Sequence, residues 1–353
     1  MLTNLRLHNF RCFEGVSIDI GPAFNLFLGA NGEGKTTILE AACILLRLQS
    51  QRSSSLAPVI QIGKKFFEVR GKFEEHKLEF RYSALRRRVK FDEIEQRILR
   101  EYLRIGRVVS LANADIELVR GGSEARRRYL DFLGAQIDGY YRPALRAYER
   151  ALRARNALLK SPMPRVREVA AYDAPLIEHG RVLLRLRAAL AKMLAPLATQ
   201  AYQRISAGRE KFALRFLPGA SDDFGGDLER SHSESIRLRQ TIVGPHRDDL
   251  ELLVDDSPAA QFASEGQQRT IALAMKIAQA DALKRSSDGK APLLLIDVIF
   301  GELDPERRNA LLDNLPADSQ KLVTATAMPW RNEIVADTIY QMRNRQLRRV
   351  CDR

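Results

Sequence analysis

The sequence contains few cysteines and lacks long apolar runs. Its three cysteines, Cys12, Cys43 and Cys351, stand alone, and none belongs to a C-x-x-C pair. Disulfide-stabilised secreted folds and cysteine-ligated zinc sites are therefore not expected. No apolar stretch reaches membrane-spanning length, and residues 1–6 lack the apolar core of a signal peptide. We expect a soluble intracellular protein in which Cys12 and Cys43 are small core residues.

Basic residues outnumber acidic ones, and aromatic residues are few. The 57 basic and 44 acidic side chains give a formal charge of +13 and a pI near 9.8. An excess of this size points to an anionic partner, either nucleic acid or a membrane surface. Aromatic residues make up only 7% of the chain and rarely interrupt the basic clusters, which argues against base stacking. At 353 residues and 45% hydrophobic content, the chain can form one large or two ordinary globular domains.

The most informative segment is a glycine-punctuated loop between a short apolar run and a helix-like run. Its sequence fits G-x-x-x-x-G-K-[ST]. Glycines let consecutive N–H groups point into one concavity, and the following helix adds its positive end, so the loop can hold phosphates. Lys35 can reach the outer phosphates, and the Thr36 hydroxyl can ligate Mg²⁺. We assign the nucleotide-binding loop to Gly29, Ala30, Asn31, Gly32, Glu33, Gly34, Lys35, Thr36 and Thr37.

Apolar periodicity predicts an α/β protein with a helical insertion. Alternation predicts a hairpin over residues 2–20 that turns around 13–15, and a second one over 66–82 that turns at 74–76. A mixed sheet is expected around the nucleotide-binding loop, with buried strands at 292–297 and 321–325. Long helices are predicted from 123 to 206, broken at 161–164, and short strands from 214 onward, around an acidic loop at 221–227. The predicted domains are a discontinuous head, 1–122 and 210–353, and an inserted helical arm, 123–209.

Two further segments can complete a nucleotide site. Asp297 ends a buried apolar strand, where ATPases of this loop type place a carboxylate that holds Mg²⁺ through its waters. Ser264, Gly266 and Gln267 have two compatible interpretations. They form a capping box that opens a helix, and they form a second anion-binding turn at that helix N-terminus. This order of segments is typical of ABC-type ATPases, in which the serine–glycine turn contacts the γ-phosphate bound to the other subunit.

With these features in order, the chain resembles the RecF family of DNA replication and repair proteins, relatives of the SMC ATPases. The resemblance covers nearly the whole length, and the segments around Arg128, Asn156 and Arg247 are its most specific markers. The segments that carry it are Asn9–Arg11, Gly29–Thr37, Glu117–Gly122, Arg126–Asp131, Arg155–Lys160, Gly244–Asp249, Ser264–Arg269 and Glu302–Asp304.

The resemblance implies an ABC/SMC-type P-loop ATPase head with an inserted helical arm. It implies a cytoplasmic, nucleoid-associated protein that binds ATP and Mg²⁺ and dimerises around ATP. It also implies action in recombinational repair at gapped DNA, near junctions of single and double strands. The implied partners are DNA and the RecR and RecO proteins, with which such proteins assist RecA loading.

One position departs from the family pattern. The family follows the Mg²⁺-holding aspartate with a second carboxylate, the candidate general base, whereas Val298 follows Asp297 here. A valine cannot accept a proton. Glu302 and Asp304 lie shortly beyond, and Asp304 matches the family's aspartate at the dimer contact. We expect at most a weak, DNA-stimulated ATPase, with no residue assigned as catalytic.

Arginines supply the candidate DNA-binding surface. Four of them follow helical spacing, i, i+4, i+8 and i+11, which places them on one stripe of a predicted helix, and three more lie upstream. Such a stripe fits sequence-independent binding of duplex phosphates. The alternative is a solvated helix face with internal ion pairs to Glu124, Asp131 and Glu149. The candidate residues are Arg126, Arg127, Arg128, Arg142, Arg146, Arg150 and Arg153.

Other interpretations remain open from the residues alone. The segment Gly244–Asp249 is consistent with a clasp in which His246, Arg247, Asp248 and Asp249 pair among themselves. The chain as a whole can instead be the ATPase subunit of a membrane ABC transporter, although its basic insertion argues against that function. It can also be a DNA-binding scaffold with a structural nucleotide, which Val298 favours.

Overall fold

The computed structural model describes residues 1–53, 55–206, 208, 210–297, 313–327 and 336–350. Its strands in chain order are β1 (Leu2–Phe10), β2 (Phe13–Asp19), β3 (Phe24–Leu28), β4 (Phe66–Phe73), β5 (His76–Ser83), β6 (Arg87–Phe91), β7 (Ile94–Glu95), β8 (Val108–Ala112), β9 (Phe212–Leu217), β10 (Asp249–Val254), β11 (Ser257–Pro258), β12 (Leu293–Asp297), β13 (Lys321–Ala325), β14 (Thr338–Arg343) and β15 (Gln346–Val350). Its helices are α1 (Lys35–Arg47), α2 (Arg100–Ile105), α3 (Glu117–Arg120), α4 (Ser123–Ile137), α5 (Tyr141–Leu159), α6 (Val166–Ala170), α7 (Asp173–Ser206), α8 (Phe224–Arg230), α9 (His232–Leu238), α10 (Ala259–Phe262) and α11 (Glu265–Arg285).

The chain forms two compact units. The first comprises Met1–Ala114 and Leu283–Arg353, and the second comprises Asp115–Ala282. Residues 210–282, which the sequence places in the head, are therefore grouped with the helices of the arm. The reason is that β9 packs on α7 and β10 packs on α4.

A mixed sheet carries the nucleotide-binding loop in the first unit. Among the described residues its strand order is β15-β14-β3-β13-β12-β8, and the strands pair in parallel except for β14 with β15. The apolar side chains of β3, β12 and β13 are buried except for Leu28 at the end of β3, as expected of central strands covered on both faces. The predicted mixed sheet and its two predicted buried strands are thus confirmed.

The hairpins of the first unit form a separate antiparallel sheet, with the order β2-β1-β4-β5-β6-β7 among the described residues. The second hairpin turns at residues 74–75, as predicted. The predicted turn of the first hairpin at 13–15 is wrong, because Phe10 pairs with Phe13 and the turn lies at 11–12. Arg11 adopts a left-handed conformation, with φ 53°, that makes this tight turn possible.

Long helices dominate the second unit. The predicted break at 161–164 is confirmed, since α5 ends at Leu159 and α6 begins at Val166. Helix α7 packs on α5, and its buried face forms a helix–helix seam that includes Leu183, Leu190, Leu194 and Leu197. The strand predicted from 214 onward is confirmed by β9, which ends at Leu217. The segment 221–227, predicted as a loop, contains a helix start, because Asp223 caps α8 by accepting a hydrogen bond from the Gly226 N–H at 3.1 Å.

No helix within the described ranges is both long and apolar enough to cross a bilayer.

Candidate nucleotide and DNA-binding sites

The nucleotide-binding loop joins the end of β3 to the start of α1. Gly34 has φ 109° and precedes the first helical residue, so the helix begins at Lys35. A Cβ atom added at Gly34 would lie 2.7 Å from the Cys12 Sγ. Cys12 is half-buried against this glycine, whereas Cys43 is fully buried within α1. Only a glycine therefore satisfies both the backbone angle and the contact with the β1–β2 turn.

The side chain of Lys35 is held inside the nucleotide-binding loop by backbone carbonyl groups of that loop. Its Nζ donates to the carbonyl oxygens of Gly29 and Ala30, both at 2.7 Å. Burial lowers the pKa of Lys35, and the carboxylates of Asp297 and Glu33 oppose that shift. The contacts with the loop carbonyls thus hold the Lys35 ammonium group in the concavity of the nucleotide-binding loop.

Thr36 and Asp297, the predicted Mg²⁺ residues, lie side by side. The Thr36 Oγ1 is 2.9 Å from each carboxylate oxygen of Asp297, and the Thr324 hydroxyl donates to Asp297 Oδ1 at 2.6 Å. Strands β3 and β12 flank β13 in parallel, so their carboxyl ends meet at one edge of the sheet. Hydroxyl and carboxylate oxygens are hard ligands, and Mg²⁺ typically takes one or two of them alongside waters and substrate phosphates. The residues present therefore fit this ion.

An ion pair beneath the loop was not predicted from the sequence. The Arg11 guanidinium donates to both carboxylate oxygens of Glu40, at 3.0 and 2.8 Å, and to the Pro58 carbonyl at 3.0 Å. The Glu40 side chain is fully buried in α1 and also accepts from the Ser50 hydroxyl at 2.5 Å. This pair fastens the β1–β2 turn to α1, next to Gly34. The only sequence signal near this ion pair is the segment Asn9–Arg11, which is one of the segments shared with the family.

The serine–glycine turn in the second unit contains the predicted capping box. The Ser264 N–H donates to Gln267 Oε1 at 2.7 Å, and the Gln267 N–H donates to Ser264 Oγ at 3.3 Å. Ser264 is exposed, whereas Gln268 is buried behind the turn. Gln268 accepts from Arg120 Nε at 2.5 Å and donates to the Ala263 carbonyl at 3.0 Å. The turn is therefore rigidly supported and open to solvent at Ser264.

In the segment Gly244–Asp249, the described side chains of His246, Arg247, Asp248 and Asp249 form no hydrogen bond or ion pair with one another, so the clasp interpretation is wrong. Asp248 is fully buried and accepts from Arg187 Nη1 at 2.8 Å and from the Gly219 N–H at 2.7 Å. His246 lies 2.7 Å from the Tyr148 hydroxyl and 2.9 Å from the Thr241 carbonyl. Burial lowers the pKa of His246 to about 4, so this histidine is neutral at physiological pH. The segment joins several helices of the second unit.

Arg187 is the centre of that buried polar cluster. It also donates to Asp131 at 2.7 Å, to the Tyr141 hydroxyl at 3.0 Å and to the Pro245 carbonyl at 2.5 Å. Burial by itself would lower the pKa of Arg187, but the facing carboxylates raise it, so the guanidinium stays charged. Arg187 follows Leu183 by four residues and precedes Leu190 by three, so helical spacing places it on the buried leucine face of α7, but its partners are distant in sequence.

The family marker at Arg155 and Asn156 has a similar structural role. Arg155 is fully buried and donates to Asp173 at 2.9 Å and to the Thr241 hydroxyl at 2.8 Å. The Asn156 side-chain oxygen accepts from the Thr241 N–H at 2.8 Å. Both residues fix the chain just before Gly244.

The three upstream candidate DNA-binding arginines differ in exposure. Arg126 is mostly buried and donates to both carboxylate oxygens of Asp249, at 2.6 and 2.9 Å. Arg127 donates to the Asp248 carbonyl at 2.9 Å, and burial lowers its pKa. Arg128 is exposed and forms an ion pair with Glu124. Of the three, only Arg128 is exposed, while Arg126 and Arg127 are partly buried.

All four arginines of the predicted stripe lie on α5. Arg146, Arg150 and Arg153 are exposed, while Arg142 is half-buried. Arg153 lies 3.7 Å from Glu149, an exposed pair that costs little to break. The opposite face of α5, which includes Tyr148 and Arg155, is buried. The outer face is therefore basic and accessible.

Four residues named from the sequence, Val298, Glu302, Asp304 and Cys351, lie outside the described residues.

Comparison with known proteins finds a matching family model and relatives that cover most of the chain. Residues 4–124 match the family model described as an AAA domain. A "DNA replication and repair protein RecF" of Lactococcus lactis subsp. cremoris is 32% identical over 333 residues, covering 93% of this chain and 92% of that protein. The protein of the same name from Symbiobacterium thermophilum is 34% identical over 342 residues, covering 92% and 91% of the two chains.

Solved structures similar to this chain include a protein of the same name as these relatives. A structure of "the recombination mediator protein RecF-ATP in RecFOR pathway" aligns with a TM-score of 0.88 and 26% identity, covering 99% of this chain and 97% of that chain. An SMC head domain aligns with a TM-score of 0.55 at 17% identity, which indicates a shared fold only. From these relatives and from the ATPase-type sheet with its inserted helices, the chain belongs to the RecF family of DNA replication and repair proteins.

Proposed function

We propose that this protein is an ATP-gated, DNA-binding dimer of recombinational repair and replication-fork maintenance. The observation that carries the proposal is the contact between Thr36 and Asp297 at the edge of the sheet, beside the buried ammonium group of Lys35. A hydroxyl, a carboxylate and a cation around a glycine-rich loop are the groups that hold a nucleoside triphosphate with its metal.

In this proposal the nucleotide-binding loop, Gly29–Thr37, holds the phosphates of ATP through its N–H groups and Lys35. Thr36 and Asp297 would hold Mg²⁺, which neutralises charge on the phosphate oxygens when it is bound. Gly34 keeps the loop closed against Cys12 and thereby orients the first turn of α1.

The site is completed by a second copy of the chain. Ser264, Gly266 and Gln267 of that copy would contact the γ-phosphate, because a capped helix start presents N–H donors and a positive dipole end to an anion. Asp304 would lie at the same dimer contact. Only a nucleotide that retains its γ-phosphate would then link the two copies.

The dimer would act at gapped DNA, near junctions of single and double strands, together with RecR- and RecO-type proteins, and would assist RecA loading. The similar RecF-ATP structure is that of a recombination mediator in the RecFOR pathway, and this likeness supports the role. A DNA-bound, nucleoid-associated location in the cytoplasm would follow.

The position after Asp297 favours slow hydrolysis. We expect Val298→Asp to raise the steady-state ATPase rate on the order of 100-fold, because general base catalysis typically contributes this much or more. Val298→Asn serves as the control, because asparagine is similar in size to aspartate but cannot accept the proton. Equal rates for the unsubstituted chain and Val298→Asp would contradict slow hydrolysis.

The alternative function, a DNA-binding scaffold with a structural nucleotide, is also favoured by Val298. It predicts that ATP does not cause the chain to dimerise.

The exposed stripe of α5 is the proposed duplex contact. Replacing Arg146 and Arg150 with glutamine should weaken duplex binding about tenfold near 0.1 M salt. It should also reduce the slope of log affinity against log salt concentration by about two, one for each lost phosphate contact. Fluorescence anisotropy with labelled gapped DNA at several salt concentrations measures both quantities.

The control for this experiment removes the same charge elsewhere. Arg165 and Arg237 are exposed and pair with Glu168 and Glu234, so Arg165→Gln/Arg237→Gln has the same effect on net charge. If affinity and salt slope are the same for both double variants, the outer face of α5 is not the DNA-binding surface.

A further inference from the structure

A second basic surface lies on the last hairpin of the first unit. Strands β14 and β15 join through a turn at residues 344–345, and four arginines of this hairpin, Arg343, Arg345, Arg348 and Arg349, are exposed. Among the residues that the structure describes, the side chains of Arg343, Arg345 and Arg348 have no acidic partner. We call Arg343, Arg345 and Arg348 the hairpin arginines.

The turn of this hairpin lies at the rim of the nucleotide-binding loop. Strand β14 runs parallel to β3, so both strands end at the same edge of the sheet. The Arg345 N–H donates to a Glu33 carboxylate oxygen at 2.9 Å. A Cβ atom added at Gly29 would lie 2.6 Å from the Met342 carbonyl oxygen. The loop and the hairpin are thus in direct contact at two points.

Strand register places two of the hairpin arginines on one face. Arg343 pairs with Gln346, and Gln341 pairs with Arg348, so Arg343 and Arg348 are diagonal neighbours on the same side of the ribbon. The other side carries Met342, which is buried, opposite Leu347. Like charges close together on one sheet face repel each other, and an anion that bridges them relieves this repulsion.

We propose that the hairpin arginines bind the sugar–phosphate backbone of nucleic acid, as a second contact surface beside the nucleotide-binding loop. The inference rests on the proposed function in that it assumes a DNA-binding chain. Guanidinium groups match phosphate oxygens with two parallel hydrogen bonds. Over the described residues, the outer face carries Gln341, Gln346, Arg343 and Arg348 with Ile339 and Val350 at its far end, and it has none of the aromatic anchors that protein–protein interfaces concentrate at their centre. Nucleic acid therefore suits this face better than an acidic protein does.

The test compares Arg343→Gln/Arg348→Gln with Arg165→Gln/Arg237→Gln in the full-length chain. Both double variants remove two exposed positive charges and leave the nucleotide-binding loop intact. With gapped duplex DNA in anisotropy titrations, we expect the hairpin variant to bind about tenfold more weakly and to lose about two from the salt slope. Its affinity for Mg-ATP, measured by calorimetry, should match that of the unsubstituted chain.

Each outcome of the test has a defined meaning. A hairpin variant that matches the control variant in affinity and slope overturns the inference and leaves the proposed function standing. A variant with unchanged DNA binding but weaker Mg-ATP binding assigns these arginines to the nucleotide and also overturns it. Unchanged DNA binding with increased self-association overturns it in favour of a protective role at a sheet edge. Absence of DNA binding by the unsubstituted chain contradicts both the inference and the proposed function.

Discussion

Replacing Arg187 with methionine is expected to lower the free energy of unfolding of the second unit by about 3 to 5 kcal/mol. The guanidinium is almost completely buried and neutralises two carboxylates, Asp131 and the fully buried Asp248. Methionine fills similar space but leaves Asp248 in a low-dielectric environment without its counter-ion. The Pro245 carbonyl and the Tyr141 hydroxyl lose a partner as well.

Arg185 provides the matched control for this substitution. It lies on the same helix, two residues away, and is exposed. Arg185→Met should therefore change the free energy of unfolding by no more than about 0.5 kcal/mol. Urea denaturation followed by circular dichroism gives the global values, and hydrogen exchange localises the loss to α4, α5 and α7. Equal stability of the two variants would show that the cluster around Arg187 does not hold the second unit together.

Replacing Lys35 with alanine is expected to weaken Mg-ATP binding about 100-fold, the effect of losing a charge-assisted contact worth roughly 2.7 kcal/mol. The Lys35 ammonium lies between the Gly29 and Ala30 carbonyls, where outer phosphates would accept its hydrogen bonds. Because burial already disfavours its charged form, removing the side chain should cost little stability.

Lys64→Ala is the control for the Lys35 variant. Lys64 belongs to the same unit and forms an ion pair with Glu14 whose two side chains are both exposed, so its loss should leave nucleotide affinity unchanged. Calorimetric titration with Mg-ATP compares the variants, and urea denaturation confirms that each is folded. If Lys35→Ala binds Mg-ATP as tightly as Lys64→Ala does, the proposed nucleotide site is wrong.

Features that depend on neighbours in sequence were predictable. The glycine pattern, the apolar run before Asp297 and the Ser264–Gln267 box each follow from a few consecutive residues with one physical reason. Helical spacing also placed the arginine stripe on α5 correctly. Such local rules do not require knowledge of how the chain packs.

Features that depend on distant partners were not predictable. Arg187 meets Asp248 across 61 residues, and Arg345 meets Glu33 across 312. Arg126 and Arg128 were grouped by their charge although residues two apart lie about 200° from each other around a helix, and the partner of Arg126, Asp249, lies 123 residues away. The β1–β2 turn was predicted too late in the chain. Phe13 was assigned to the turn, but it is a buried residue of β2 and pairs with Phe10.

The central claim is that ATP joins two copies of the chain, and sedimentation velocity tests it most directly. With Mg-ATP and gapped DNA together, the unsubstituted chain should sediment as a DNA-bound dimer, and without nucleotide it should sediment as a smaller species. Lys35→Ala should remain small in both conditions. A sedimentation coefficient that is the same with and without Mg-ATP, while nucleotide binding is intact, would contradict the claim.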